Sequence, residues 1–243
     1  MRIITIANQK GGTAKSTTAA ALAQAGKEKG LKVLAVDLDP QGNLSMFMGA
    51  DTTRKGALQL LEGQPASSCT QTTACGVDII PASWGLSSIT SYAGSARRLL
   101  KGLKAFVTLD VYDMIIIDTP PTAGELQYNA LMASNGLIIP IRPETGSLQG
   151  LYQIANTAEQ IQQNNPQLRI LGYIITQAGR STLHRQLQEQ IREAADAIGI
   201  PFIGSIRQAI ALQEAQTLQR SLYEYAPNSN PAKDYIQILD TII

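Results

Sequence analysis

The sequence Asn8-Gln9-Lys10-Gly11-Gly12-Thr13-Ala14-Lys15-Ser16-Thr17-Thr18 lies between two apolar runs. Residues 3–7 before it are mostly isoleucine and predict a β-strand, and the alanine-rich residues 19–23 after it predict a helix. A loop between a strand and a helix directs backbone N–H groups, and the positive end of the helix dipole, at one point. The stretch therefore predicts a phosphate-binding loop at the start of the first helix.

Within this loop, Lys15 and Ser16 have the residue types that phosphate chemistry requires. Lys15 would reach the β- and γ-phosphates, and the Ser16 hydroxyl would bind Mg²⁺. The usual pattern G-x-x-x-x-G-K-[ST] is not matched, because Gln9 and Ala14 occupy the two glycine positions. The chain carries instead K-G-G-x-x-K-S, with a second lysine, Lys10, too far round the loop to duplicate Lys15. These features together favour a phosphate site over a glycine-rich turn without a ligand.

Composition limits the classes of function. At 243 residues and 44% hydrophobic content, the chain can bury a full core as one large domain or two small ones. The formal net charge of +1 gives no global basic field for nucleic acid, so DNA binding needs a local patch or two subunits that combine patches. The low aromatic content, 5%, argues against a platform that stacks single-stranded bases.

The cysteines and the two ends of the chain indicate a cytoplasmic protein without membrane contact. The spacing of Cys69 and Cys75 fits neither a redox pair nor a zinc half-site, and His184 is the only histidine. Two unpaired thiols or one incidental disulfide are both compatible with it. The chain starts directly in a predicted strand, and no run reaches about 18 apolar residues. Residues 234–243 have an apolar stripe with acidic company, so we expect a helix docked on the body of the protein.

Apolar runs alternate with helical patterns along the chain, which is typical of an α/β fold with a mostly parallel sheet and helices on both faces. The predicted strands are residues 3–7, 32–36, 77–80, 114–117, 136–141, 169–176 and 202–203. The predicted helices are residues 15–29, 86–103, 124–133, 147–163 and 182–198. In residues 52–73 we expect a short helix, 58–62, and then a mobile loop. Without a linker or repeat, residues 1–243 are expected to form a single domain, with ligands at the carboxyl ends of the strands.

Two acidic elements follow predicted strands at that edge. Asp37 and Asp39 lie on the same side of the chain, where a carboxylate can orient water for attack on a γ-phosphate. The alternative is an Asp-Pro-x-Gly turn that caps a helix. Asp118 ends a run of isoleucines, as does the second acidic element of phosphate-loop NTPases, which holds Mg²⁺ directly or through water. Pro120 and Pro121 then give a stiff loop that could respond to the γ-phosphate.

Together these stretches resemble the deviant phosphate-loop (deviant Walker A) ATPases of the ParA/MinD group, and more closely the ParA (Soj)-type partition ATPases. The resemblance covers nearly the whole chain: residues 10–17, the D-x-D-P-Q-G-N run at 37–43, 118–121, 140–144, 147–151 and 224–229. The D-P-Q-G-N run favours ParA over MinD and over the iron-protein relatives. The iron proteins also need cluster-binding cysteines at the strand edge, where Cys69 and Cys75 are not expected.

The resemblance implies roles for individual residues, with ATP and Mg²⁺ as cofactors. Lys10 would contact the phosphates of a second subunit and Asp39 would position the attacking water, so Lys10, Lys15 and Asp39 are the catalytic candidates. Ser16 and Asp118 would hold Mg²⁺. The nucleotide-binding candidates are Lys10, Gly11, Gly12, Thr13, Ala14, Lys15, Ser16, Thr17 and, for the adenine, Pro227 and Ser229. The alternative for Pro227 and Ser229 is a turn before a final helix.

DNA contacts are the sparsest part of the resemblance. Many ParA proteins carry a rich basic run where residues 205–211 contain one arginine, Arg207. From Arg169 onward, the sequence contains seven Lys or Arg residues and seven Asp or Glu residues. DNA contact would rest on Arg207, with Arg180, Arg185, Arg220 or Lys233 gathered on one face by dimerisation. For each of these side chains alone, an ordinary solvated helix face is the favoured interpretation.

The function implied is a partition ATPase that forms a homodimer with ATP. The dimer would bind nonspecific DNA and a ParB-like adaptor (centromere-binding protein), and it would associate with the nucleoid. One alternative is a MinD-like positioning ATPase acting on a protein or membrane cargo. Another is a dethiobiotin-synthetase-type ligase, which would need a polar substrate pocket beside the γ-phosphate. The third is a nucleotide-binding adaptor without turnover.

Overall fold

A computed structural model describes residues 1–89, 95–179 and 181–243. Its centre is an eight-stranded sheet with the order β3-β4-β2-β5-β1-β6-β7-β8, in which the only antiparallel pairing among the described residues joins β3 and β4. The strands are β1 Arg2–Ile6, β2 Val33–Asp37, β3 Gln71–Thr72, β4 Asp78–Ile80, β5 Met114–Asp118, β6 Gly136–Ile141, β7 Arg169–Ala178 and β8 Phe202–Arg207. The expected α/β fold with a mostly parallel sheet is confirmed.

Helices cover both faces of the sheet because its inner strands, such as β5, are buried on both sides. The helices are α1 Lys15–Glu28, α2 Asn43–Phe47, α3 Ala57–Leu61, α4 Ala66–Cys69, α5 Arg98–Thr108, α6 Glu125–Ala133, α7 Ser147–Gln162, α8 Thr182–Ala197, α9 Ile210–Thr217, α10 Leu222–Tyr225 and α11 Asn230–Ile242. Helices α1, α2 and α9–α11 share a core with one face. Helices α3–α8 pack on the other face.

Two predictions between α3 and β5 are wrong. The expected helix over 86–103 is instead a 3₁₀ turn at Leu86–Ser88, a second at Ser95–Arg97, and then α5 from Arg98; residues 90–94 lie outside the described part. This stretch is rich in serine, whose hydroxyl competes for backbone hydrogen bonds and lowers helix propensity. The expected loop after residue 62 contains α4 and β3, and β3 exists through its pairing with β4.

The last helix, α11, docks on α1 as expected. Tyr235 is fully buried there, and its hydroxyl lies 3.1 Å from the hydroxyl of Thr18 on α1. Cys69 and Cys75 are both free thiols. Within the described residues, every helix is too short or too polar to cross a bilayer.

Candidate nucleotide site

The strand order brings the predicted motifs to one edge of the sheet. β5 lies between β2 and β1, so the loop after β1 and the acids at the ends of β2 and β5 are neighbours. Asp37 and Asp118 are paired in register as the last residues of β2 and β5. Parallel strands end at the same edge, where α/β proteins bind their ligands.

The phosphate loop (residues 10–17) enters α1 through two left-handed residues, Gly12 with φ +73° and Ala14 with φ +67°. Gly12 adopts the left-handed conformation without strain, whereas the same conformation costs an alanine such as Ala14 about 1–2 kcal/mol. Ala14 is the N-cap of α1 and has no side-chain oxygen to cap the helix. The first N–H groups of α1, starting at Lys15, therefore remain directed at the loop and available to an anion.

Lys15 points into the site. Its side chain is only 7% exposed, and its ammonium donates a hydrogen bond to the Lys10 carbonyl at 3.1 Å. Burial lowers the pKa of Lys15, and the nearby carboxylates of Asp118 and Asp39 oppose that shift. A buried lysine that turns back to a carbonyl of its own loop is well placed to exchange that weak partner for a phosphate.

Lys10 points the other way, to the loop between β6 and α7. Its ammonium lies 2.9 Å from a carboxylate oxygen of Glu144 and also donates to the Thr145 carbonyl. The other carboxylate oxygen of Glu144 lies 3.4 Å from Nε of Arg142. The two lysines of the phosphate loop therefore have separate surroundings, which agrees with the expectation that Lys10 does not duplicate Lys15.

Asp37 fixes the loop that carries Asp39. Its Oδ1 accepts from the Asp39 N–H at 3.1 Å, and its Oδ2 accepts from both the N–H and the hydroxyl of Ser45. Burial raises the pKa of Asp37 to about 6, although these hydrogen bonds oppose the shift. Asp39 is also buried and accepts from the Gln41 N–H at 3.0 Å. Asp37 thus acts as a structural support for Asp39, a role that the sequence pattern did not distinguish.

Asp118 is a buried carboxylate with one oxygen atom that lacks a hydrogen-bond partner among the described residues. It is fully buried, its Oδ1 accepts from the Thr119 N–H, and its Oδ2 has no hydrogen-bond partner among the described residues. Burial and then the negative charge of Asp37 raise the pKa of Asp118 well above its usual range, while the Ser16 hydroxyl and Lys15 oppose this. A buried carboxylate oxygen without a partner is costly, and a bound cation would relieve it.

These oxygen atoms fit a magnesium ion that is shared with a ligand. Ser16 and Asp118 offer a hydroxyl and a carboxylate, and Mg²⁺ binds proteins through one or two such groups plus water and substrate phosphates. In the described ranges, no three His, Cys, Asp or Glu side chains are arranged to hold a metal by themselves. The remaining coordination has to come from water and a phosphate ligand.

A cavity of about 150 Å³ adjoins the phosphate loop. Its wall includes Ala14 and Thr17, the end of β7 at Thr176, the end of β8 at Ile206, and Tyr235 of α11. Thr176 also donates to the Thr13 carbonyl at 3.2 Å, which ties β7 to the phosphate loop. Sequence reasoning missed this cavity because its wall comes from segments far apart in the chain, and no local motif marks them.

Pro227 and Ser229 do not line this cavity. The Ser229 hydroxyl is the N-cap of α11 and accepts a hydrogen bond from the Ala232 N–H, while Pro227 is exposed. Their position matches the alternative given above, a turn that starts the final helix.

The basic candidates are dispersed. Arg207 is engaged by Asp234, a buried carboxylate that accepts from its Nε, its Nη2 and its backbone N–H. Arg220 stacks over the Tyr225 ring, 5.8 Å from Cζ to the ring centroid. Arg185 on α8 and Lys233 on α11 are exposed but belong to helices on opposite faces of the sheet, and Arg180 lies outside the described residues.

Comparisons with known proteins identify the family of this chain. A family model described as "AAA domain" matches residues 1–170. The chromosome-partitioning ATPase Soj of Thermus thermophilus is 33% identical over 246 aligned residues, which cover 100% of this chain and 96% of that protein. The chain belongs to this AAA family and, within it, to the ParA/Soj-type partition ATPases, whose members are ATPases.

Two solved structures share the fold closely. MinD, the septum site-determining protein of Pyrococcus horikoshii complexed with Mg-ADP, is 26% identical with a TM-score of 0.81, covering 99% of this chain and 95% of that one. Cobyrinic acid a,c-diamide synthase of Mycobacterium smegmatis, with bound ADP and magnesium, is 31% identical with a TM-score of 0.81, covering 99% and 93%. The same scaffold therefore serves both a septum site-determining protein and a cobyrinic acid a,c-diamide synthase, and the site has to distinguish such functions.

Proposed function

We propose that residues 1–243 form a single ATPase domain that works as a nucleotide-dependent switch in DNA partition. The observation that carries the proposal is the division of labour between two lysines. Lys15 is buried beside Asp118, whereas Lys10 lies against Glu144 at the rim of the same loop. One lysine is thus placed for the bound nucleotide, and the other is free to serve a second subunit once it leaves Glu144.

ATP is the proposed ligand of the phosphate loop. The backbone N–H groups of Gly11, Gly12, Thr13 and Ala14 and the first turn of α1 would surround the phosphates, with Lys15 and Thr17 as side-chain contacts. Ser16 and Asp118 would hold Mg²⁺, which when bound neutralises charge on the β- and γ-phosphates. The open end of α1 and the unpartnered Oδ2 of Asp118 support this assignment.

The adenine base has a suitable place in the cavity beside Ala14 and Thr17. That cavity has apolar walls from Ile206 and Tyr235 and polar groups from Thr176. We assign no contact with the base to Pro227 or Ser229, because the Ser229 hydroxyl already caps α11.

Asp39 is the proposed residue that positions the attacking water. Its carboxylate is buried next to Asp37 and keeps acceptor capacity beyond the one hydrogen bond from Gln41. Because Asp37 holds the Asp39 backbone and Ser45, the carboxylate is oriented before a nucleotide binds. Preorganised orientation of this kind, rather than covalent chemistry, is what phosphoryl transfer demands of a protein.

Dimerisation is the proposed output of ATP binding. Two subunits would close face to face over the carboxyl edge of the sheet, and each Lys10 would exchange Glu144 for the phosphates of its partner. ATP favours this state because the phosphates provide the differential interaction between open and closed forms. Hydrolysis removes that interaction and reopens the dimer.

The proposed partners are nonspecific DNA and a ParB-like adaptor that stimulates hydrolysis, with the protein in the cytoplasm on the nucleoid. The Soj relative, named for chromosome partitioning, supports this over a biosynthetic ligase. Because Arg207 is already engaged by Asp234, the DNA surface would depend on both subunits together. A MinD-like positioning role is the second candidate. It does not require DNA binding, and the small number of basic side chains favours it for that reason.

The test is binding of Asp39→Ala protein to a random DNA duplex with ATP·Mg²⁺, with ADP and without nucleotide, over a series of salt concentrations. We expect binding only with ATP, weakened as salt rises because phosphate contacts release counterions. The matched control is the double variant Lys10→Ala/Asp39→Ala, which should bind ATP but not DNA. Equal binding, or no binding, in all three nucleotide states would contradict the partition assignment.

A further inference from the structure

The one tryptophan of the chain, Trp84, has a side chain that is 95% exposed. It follows β4 at the carboxyl edge of the sheet and borders an open groove of about 890 Å³. The groove, here called the Trp84 groove, is lined by residues 40–42, Met46, 52–53 and 82–87. An aromatic side chain of this size buries roughly 150–250 Å² when covered, so its exposure marks a candidate contact surface.

The Trp84 groove is held to the candidate nucleotide site by hydrogen bonds. The Ser45 hydroxyl accepts from the Ala82 N–H at 2.9 Å and donates to Asp37, the residue that fixes Asp39. On the other side, the Ser83 hydroxyl accepts from the Leu58 N–H at 3.0 Å. These hydrogen bonds fix the backbone just before Trp84, at Ala82 and Ser83. One wall of the groove, residues 40–42, directly follows Asp39.

The chemistry of the groove selects its partner. Of the described residues that line it, none carries a charge. Affinity for DNA phosphates comes mainly from lysine and arginine, and affinity for a basic protein tail comes mainly from carboxylates, so a surface without charges favours neither. A neutral protein surface fits it. The second copy of this chain is the one we assign, because the groove wall of residues 40–42 directly follows Asp39 at the sheet edge over which the proposed dimer closes.

We infer that the Trp84 groove forms part of the surface through which two copies of this chain meet when ATP is bound. The inference rests on the proposed nucleotide-driven dimer, and it adds an apolar contact beside the polar one made by Lys10. Tryptophan is enriched among the residues that dominate interface affinity, and a two-fold dimer would bury two copies of Trp84 at once.

Trp84 itself reports the outcome, because all tryptophan fluorescence of the protein comes from it. Asp39→Ala protein is examined with ATP·Mg²⁺, with ADP and without nucleotide, by emission spectrum, by quenching with neutral acrylamide and by light scattering on the same samples. We expect the ATP-induced dimer to show emission at shorter wavelength and weaker quenching. Lys10→Ala/Asp39→Ala protein with ATP should show neither change, which separates dimerisation from nucleotide binding.

The outcomes separate this inference from the proposed function. A dimer that forms with ATP while Trp84 remains as quenchable as in the monomer would overturn the inference and leave the switch intact. No gain in mass with ATP would overturn both. A change in emission that appears only when duplex DNA is added to the preformed dimer would assign the groove to nucleic acid and overturn the inference as well.

A second variant gives a measure independent of fluorescence. Trp84→Ala in the Asp39→Ala background should weaken the ATP-dependent dimer about tenfold or more, as expected for an interface tryptophan. Leu109→Ala is the matched control, because Leu109 is 74% exposed but lies beyond the end of α5 and lines no part of the groove. Equal dimer affinity in the Trp84→Ala and Leu109→Ala proteins would also overturn the inference.

Discussion

Lys10 and Glu144 form an ion pair, 2.9 Å long, between the phosphate loop and the loop that precedes α7. The pair lies within one subunit and is half-buried, and the Thr145 carbonyl accepts a further hydrogen bond from Lys10. In the single chain, Lys10 is thus held by its own Glu144, and in the proposed dimer it would have to leave this partner. The proposed dimerisation would exchange one ionic contact of Lys10 for another, which would keep the equilibrium responsive to nucleotide.

Releasing Lys10 should favour the dimer. In Glu144→Gln protein the charge that holds Lys10 is gone, and a partly exposed pair of this kind contributes about 0.2–1 kcal/mol. We expect half-maximal association at an ATP concentration up to about fivefold lower, measured by light scattering during an ATP titration. Arg142→Gln, which alters the other contact of Glu144, is the control and should shift the midpoint less. A higher midpoint for Glu144→Gln would show that Glu144 assists closure instead.

The two lysines should separate binding from association. Lys15→Ala removes the buried cation of the site, and loss of one partner of a buried charged pair typically costs about 2–5 kcal/mol. We therefore expect ATP affinity to fall by about 30-fold or more in Lys15→Ala, and only a few-fold in Lys10→Ala, as measured by calorimetry. Lys10→Ala should nevertheless remain monomeric with saturating ATP. A normal ATP-induced dimer in Lys10→Ala would remove that lysine from its role.

Ala14 stores strain that can be measured. The left-handed conformation of Ala14 costs about 1–2 kcal/mol, a cost that glycine avoids. Glycine also gains conformational entropy in the unfolded chain, which offsets about 0.4–1 kcal/mol of that benefit. Ala14→Gly should therefore raise the free energy of unfolding by about 0.5–1 kcal/mol in denaturant titration. Ala19→Gly, a buried position inside α1, should lower it by about 1 kcal/mol. The same sign for both variants would contradict the strain assigned to Ala14.

Asp118 should lower the stability of the ligand-free protein and raise its stability when Mg²⁺ is bound. Its buried charge is poorly compensated without a cation, so Asp118→Asn protein should melt at the same temperature as wild type or higher when no ligand is present. Wild-type protein at ATP·Mg²⁺ concentrations 100 times its Kd should gain about 2.7 kcal/mol, and chelation of Mg²⁺ should remove most of that gain. Asp118→Asn should gain little in either case. A full Mg²⁺-dependent gain in this variant would exclude Asp118 as a ligand.

The sequence predicts the centre of this protein better than its margins. The inner strands and the residues of the phosphate loop are contiguous signals, since an apolar run or a K-G-G-x-x-K-S pattern needs no distant partner to be recognised. The two-residue strand β3 has no such signal and depends on its pairing with β4. The prediction starts helix α5 at residue 86, twelve residues before α5 begins at Arg98, because a helical spacing of apolar residues continues through the serine-rich stretch before it. Serine lowers helix propensity, and the spacing alone does not show this.

The same distinction applies to the site. Asp37, Asp39 and Asp118 lie at the predicted edge of the sheet, because the ends of the inner strands are recognisable in the sequence. The Lys10–Glu144 pair joins residues far apart in the chain, and the cavity beside Ala14 draws on β7, β8 and α11. Such contacts exist only after the sheet has formed, so the pattern of residues could not reveal them. Pro227 and Ser229 do not line that cavity, and their predicted contact with adenine stays a prediction.

The most direct test of nucleotide-dependent dimerisation is the mass of Asp39→Ala protein in solution with ATP·Mg²⁺, with ADP and without nucleotide. The chain has a mass of 26.0 kDa. We predict this monomer mass without nucleotide and with ADP, and twice that mass with ATP·Mg²⁺, because the variant should form the closed dimer and hydrolyse ATP too slowly to leave it. One and the same mass in all three conditions would contradict the nucleotide switch.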